Sequence, residues 1–213
     1  MNKKILTALI LNFFMVVSTT AIFASYFFYS ENPLVKSGFD SLMFFTTDSN
    51  LVAALSALVL IPLEIQILRG KRDKLPRFAV VLKYIGMTAV MLTFITVVTL
   101  LLPLYDIKFL LLGTAFYMHL AGPMAALISF VFLETDSKIK FPETLLALLP
   151  SVLYGAVYLT EVVLIGEQNG GWMDFYTFNR GGYWFITMPV ILGVTFLIAV
   201  LTRLAHNKFT KTD

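Results

Sequence analysis

Six continuous apolar stretches, near residues 5–28, 42–67, 79–103, 109–133, 143–166 and 183–205, dominate this 213-residue chain. Each supplies the roughly 20 helical residues that cross a hydrocarbon core. In lipid a backbone must satisfy its own hydrogen bonds, so only helices or closed barrels span a bilayer. The stretches are unbroken rather than alternating, which predicts helices and not barrel strands. The expected fold is therefore all-α: a polytopic membrane protein with six transmembrane helices in one bundle, a single domain over residues 1–213. Pro33, Pro76, Pro103 and Pro142 fall at or near helix ends, where the missing N–H costs little. Pro62, Pro123, Pro150 and Pro189 lie within spans and should kink them or mark local breaks. No internal repeat points to a transporter built from inverted halves.

The first apolar run follows Lys3 and Lys4. It is longer than the 7–15-residue core of a signal peptide, so a retained helix is expected. The basic residues give orientation. Lys3, Lys4, Arg69, Lys71, Arg72, Lys74, Arg77, Lys138, Lys140, Arg203, Lys208 and Lys211 fall on one side, twelve in all, against three (Lys36, Lys108, Arg180) on the other. That bias places both termini in the cytoplasm. The net charge of +3 is thus a record of topology, and no nucleic-acid partner is expected. With 58% apolar and 14% charged residues the chain departs from the usual soluble composition, which excludes disorder and a conventional water-soluble enzyme. Cysteine is absent, so there is no disulfide, thiolate metal site or cysteine nucleophile. No metal or other cofactor is expected.

Scarcity of charge makes the polar residues inside the spans conspicuous, because ionisable groups at membrane depth are costly. Glu64 and Lys83 sit a similar distance from the same side and read as a structural ion pair, or as snorkelling side chains. His119 lies near the middle of the fourth span, followed at i+3 and i+4 by Gly122 and Pro123. The glycine permits close approach of another backbone, and the proline frees a carbonyl one turn back. His119 is either a proton-transfer group or a histidine bonded to a neighbouring helix. On the second span Thr46, Thr47, Asp48, Ser49 and Asn50 run consecutively. Thr46, Ser49, Asn50 and Ala53 share a small-residue face, suited to tight packing or to a cavity that Thr46 shares with His119. Asp48 is expensive at this depth, whether paired, protonated or wetted. On the fifth span Pro150, Tyr154, Tyr158 and Glu161 form one stripe, which is packing or the wall of a cavity. The next loop holds Trp172, Asp174, Tyr176, Phe178, Asn179 and Arg180 among four glycines. It is an aromatic belt at the membrane interface, or a lid.

Four of these elements, in order, resemble a known pattern: Phe-Thr-x-x-Ser-Asn (Phe45, Thr46, Ser49, Asn50), His-x-x-x-Pro (His119, Pro123), Pro-x-x-x-Tyr (Pro150, Tyr154) and a Gly-Trp loop (Gly171, Trp172). The chain resembles the androgen-induced-gene (ADTRP-like) family of six-helix integral membrane proteins, in its bacterial branch, over nearly its whole length. The resemblance implies a bacterial plasma membrane. It also implies hydrolysis of fatty-acid esters of hydroxy fatty acids, with Thr46 as nucleophile and His119 as base. A threonine hydroxyl needs a base to take its proton, and histidine can serve. Ser49, Asn50 and Tyr154 are then candidate oxyanion donors, with Asp48, Tyr158 and Glu161 lining the cavity. The alternative is a non-enzymatic binder of a membrane lipid or small molecule, acting as a sensor or accessory subunit. A transporter using Asp48, Glu161 and His119 is a third reading.

Overall fold

The computed structural model describes residues 3–28, 38–103 and 106–210. Six helices are long and apolar enough to cross a membrane: α1 (Lys3–Ser25), α2 (Phe45–Leu68), α3 (Arg77–Leu101), α4 (Thr114–Leu133), α5 (Phe141–Ile165) and α6 (Trp184–Phe209). Each overlaps one of the six apolar stretches, and no strand occurs among the described residues. The inner helices are α3 and α4, with half or more of their apolar windows buried, whereas α5 and α6 turn most of theirs outward. The outward side chains are large and apolar, among them Leu153, Leu164, Val190, Leu197 and Leu201. A water-soluble surface seldom carries so continuous an apolar skin, and lipid accounts for it.

The two ends of the bundle are chemically distinct. At one end the start of α1, the 134–140 segment and the end of α6 meet. Lys4 Nζ donates to Thr135 Oγ1 at 2.7 Å, and Asn207 exchanges two hydrogen bonds with the Ile139 backbone. This is the termini end. Here His206 is fully buried, stacked on Phe130 with ring centroids 4.2 Å apart. Its ring nitrogens lie 2.8 Å from the Phe130 carbonyl and 3.0 Å from that of Ser137. At the opposite end the start of α2 packs under the aromatic loop that joins α5 to α6, with the Phe44 and Phe175 rings 4.9 Å apart.

The prolines behave in two ways. Pro62 and Pro189 lie inside α2 and α6, and both helices continue through them. In α5 the α-helical register lapses at Ala147 and Leu148, and Pro150 is the second residue of the next run, which starts at Leu149. In α4 a wide π-helical turn over Tyr117–Ala121 precedes Pro123. Gly86 explains how closely α2 and α3 approach, since a Cβ there would stand 2.9 Å from Ala53 Cα and 2.8 Å from Ser56 Oγ. Across the core the Tyr84 hydroxyl donates to the Ala199 carbonyl at 2.6 Å, tying α3 to α6.

Candidate functional site

The first N–H groups of any helix lack partners within the helix. At the start of α2, Phe44 offers no capping side chain. The gap is filled from the loop: Phe45 N donates to the Tyr176 hydroxyl at 3.1 Å. Tyr154 on α5 donates to the Met43 carbonyl at 2.7 Å, just before the same helix. Asp174 organises the loop. Its carboxylate accepts from the Tyr158 hydroxyl at 2.8 Å and from the backbone N–H groups of Phe178 and Asn179, both at 2.9 Å. The loop is pressed against α5 at Gly171, where a Cβ would come within 2.2 Å of the Glu161 carbonyl, so only glycine fits. Burial pushes the Tyr176 hydroxyl up to about 12 from its ordinary 10.0. The loop is therefore docked onto the bundle by named bonds, a cap more than a surface belt.

Two cavities flank this junction. The smaller, about 40 Å³, is lined by Thr46, Thr93, Ser151, Tyr154, Tyr176 and apolar residues of α3 and α6. It can hold water but no organic ligand. The larger, about 370 Å³, lies between α2 and α5, with Asp48, Leu55, Leu153, Val157 and Trp172 on its wall. Leu55, Leu153 and Val157 are also exposed on the lipid-facing surface, so the groove opens sideways. Its volume is in the range of small-molecule sites. The Asp48 carboxyl makes no hydrogen bond or ion pair among the described residues, so a lone carboxyl meets an apolar trough.

The sequence candidates are distributed unevenly around these cavities. Thr46 is half-buried on the wall of the smaller one, beside Tyr176. His119 is half-buried on the wide turn of α4 and lines neither cavity; the helices around them are α2, α3, α5 and α6. Ser49 donates to the Thr46 carbonyl at 3.1 Å and shares a 2.8 Å bond with Thr93. The two N–H groups of the Asn50 amide go to the carbonyls of Thr46, at 2.9 Å, and Met118, at 3.0 Å. Two of the three proposed oxyanion donors, Ser49 and Asn50, are thus engaged in packing. The Met118 bond has a direct cause: Pro123 has no N–H, and in the five-residue spacing of the wide turn the carbonyl it leaves empty is that of Met118. Gly122 leaves room for the amide, since a Cβ there would lie 3.0 Å from Asn50 Oδ1. Tyr154 and Tyr158 face the loop as described. Glu161 lies in the first turn of a π-helical stretch, Thr160–Ile165, which ends the 3.6-residue register on which the stripe was drawn. It lines neither cavity.

Glu64 and Lys83 belong to a separate cluster, reached from four helices near the termini end. The ion pair of Lys83 is with Glu134, at 3.6 Å, and not with Glu64. Lys83 also donates to the Asn12 side-chain oxygen, and the Asn12 amide donates to Glu64 at 3.0 Å and to Glu134 at 2.8 Å. The expected pair is therefore mediated by Asn12. Sequence reasoning missed Asn12, although the signal was there: it is the lone amide of the first apolar run. Glu134 escaped notice because it follows the last residue of its span. Asp174 and Tyr176 escaped as site residues because nothing in a loop's composition tells which helix end it will cap.

Six helices long and apolar enough to cross a membrane give the chain the make-up of a multi-pass α-helical membrane protein. No family model, curated protein or solved structure matches the chain.

Proposed function

We propose that this protein binds a single-chain amphiphile in the groove between α2 and α5, with Asp48 receiving a headgroup that carries a hydrogen-bond donor, such as an ammonium or a hydroxyl. The observation that carries this reading is the Asp48 carboxyl. It stands without a partner among the described residues on the wall of a laterally open, ligand-sized groove. Asp48 lies in the first turn of α2, at the loop end of the helix. Leu55 lies seven residues, about 10 Å, further along the helix. The groove thus offers an apolar trench for an alkyl chain and one polar end beside Trp172. The basic-residue bias supports a termini end in the cytoplasm and a groove in the outer half of the bilayer; the family resemblance supports a bacterial plasma membrane.

Trp172 provides the assay. In nanodiscs, a long-chain alkylamine should quench its emission saturably. Asp48→Asn should weaken binding by about tenfold, the equivalent of about 1.4 kcal/mol. Equal affinity in the variant would remove Asp48 from the site, and an unquenched Trp172 would remove the groove.

The hydrolase reading retains one observation of its own. Thr46 borders a wettable cavity beside the hydroxyls of Ser151, Tyr154 and Tyr176. It predicts that purified protein cleaves fatty-acid esters of hydroxy fatty acids, and that Thr46→Ala and His119→Ala each abolish turnover. Turnover surviving either substitution would dispose of this pair.

A further inference from the structure

The Asn12 cluster contains two carboxylates and one ammonium, all fully buried. Asn12, Glu64, Lys83, Ser129 and Glu134 are each 0% exposed. The partners are shared unequally. Glu134 Oε1 accepts from Asn12 at 2.8 Å and from Ser129 at 2.6 Å, and faces Lys83 Nζ at 3.6 Å. Among the described residues Glu64 Oε1 accepts only from Asn12. Lys83 spends its remaining donors on Asn12 Oδ1 and, at 3.7 Å, on the Met15 sulfur. Glu64 Oε2 and Glu134 Oε2 are buried without a hydrogen-bond partner among the described residues.

Counting charge decides what such a cluster holds. With every group ionised it would carry a net negative charge in a site without water-facing surface, and two carboxylates held by one amide would repel each other. The other charged and titratable groups at this end have partners of their own. Asp136 adds a further negative field at Glu64 and accepts from Leu75 N. On α6, His206 directs its ring nitrogens at the Phe130 and Ser137 carbonyls. On α1, Lys4 bonds to Thr135 Oγ1. The carboxylate with three cationic or polar donors is the one best able to stay ionised. The carboxylate with a single amide is the one that takes up the missing positive charge.

We infer that Glu64 is a proton-binding site: a neutral carboxylic acid bridged through Asn12 to an ionised Glu134–Lys83 pair, on the termini side of the bundle. This goes beyond the groove reading and is independent of it. The ligand is a proton, and Glu64 releases it when the surplus charge beside it is removed.

Infrared spectroscopy of the full chain in nanodiscs tests this. At neutral pH the wild type should show the C=O stretch of a protonated carboxyl that shifts in deuterated water. Glu64→Gln should delete that band. Glu134→Gln should delete it too, because removing the neighbouring negative charge lets Glu64 ionise against Lys83. Lys83→Met should strengthen it by protonating both carboxyls. Gln is isosteric with the neutral acid, so Glu64→Gln should leave the thermal midpoint unchanged while Glu134→Gln lowers it. That contrast keeps the inference testable if Lys83→Met fails to fold. Absence of the band in wild type, its survival in Glu64→Gln, or its survival in Glu134→Gln would each overturn the inference. Loss of the band when sodium replaces choline would overturn the proton as the ligand, in favour of a metal cation.

Discussion

Asn50 offers the sharpest test of how this bundle is held together. In wild type its amide supplies the Met118 carbonyl with the donor that Pro123 cannot provide. Replacing Asn50 by Leu keeps the branch point and the number of side-chain heavy atoms and removes both hydrogen bonds of the amide. An interhelical hydrogen bond inside a membrane contributes about 0.6 kcal/mol on average and up to about 1.7. A buried acceptor left without its donor costs about 1–3 kcal/mol. The Thr46 carbonyl keeps the Ser49 hydroxyl, so Met118 bears nearly the whole loss. The expected destabilisation is about 1.5 kcal/mol, slightly more than a tenfold change in the unfolding constant. Steric-trapping measurements in bicelles resolve such a difference. Pro123→Ala returns a backbone N–H to the same turn, so it should recover most of the loss in the double variant. The coupling between the two sites should be at least about 1 kcal/mol, well outside the error of additive sites. If Asn50→Leu is as stable as wild type, or if the two substitutions simply add, the amide is not standing in for the missing proline N–H.

Three further outcomes follow from contacts elsewhere. Gly86→Leu should prevent α2 and α3 from closing, because its Cβ alone would overlap Ala53 and Ser56; a loss of more than about 2 kcal/mol, or no folded protein in detergent, is expected. His206→Phe keeps the stacking on Phe130 but removes the ring N–H that serves the carbonyls facing it, and should cost about 1–3 kcal/mol in the same unfolding assay. Tyr176→Phe removes the cap of Phe45 and should cost about 1 kcal/mol while freeing Trp172 to solvent, read as a red shift of its emission. Because the folded protein holds the Tyr176 hydroxyl neutral up to about 12, its stabilising share is intact below pH 10.0 and lost as the pH rises through 12. A wild-type-minus-Tyr176→Phe difference titration of tyrosinate absorbance should therefore be centred near 12, and a midpoint near 10 would contradict the burial.

The helices were legible because lipid imposes one rule on every residue of a span, and a run of apolar side chains declares it. The wide turn in α4 was half legible. Gly122 and Pro123 announced a close approach and a freed carbonyl, but not that a five-residue spacing would make Met118 the one left empty, nor that Asn50 would fill it. The polar residues of α2 were visible as candidates while their partners were not. Hydrogen-bond assignment depends on rotation about each helix axis, and α2 spreads Thr46, Asp48 and Asn50 toward three different surroundings. The Glu64 and Lys83 pair shows the same limit at the other end. Matching depth brought them near one another, and a single amide on α1 decided that Lys83 would serve Glu134 instead.

That division of α2 has a chemical consequence. Residues 46 and 48 line different cavities, and residue 50 donates to the Met118 carbonyl of α4. A protein evolving a ligand site on such a helix gains most from the residue left over after packing is satisfied. Ser49 and Asn50 are consumed by α3 and α4, and Tyr154 and Tyr176 by the ends of neighbouring segments. Asp48 is the remainder, a first-turn carboxyl that the α2 dipole favours but that has no hydrogen-bond partner among the described residues, on the wall of the groove between α2 and α5. In a bilayer, where each stranded charge carries a cost, such a remainder is a stronger functional signal than a motif whose members are already bonded to one another.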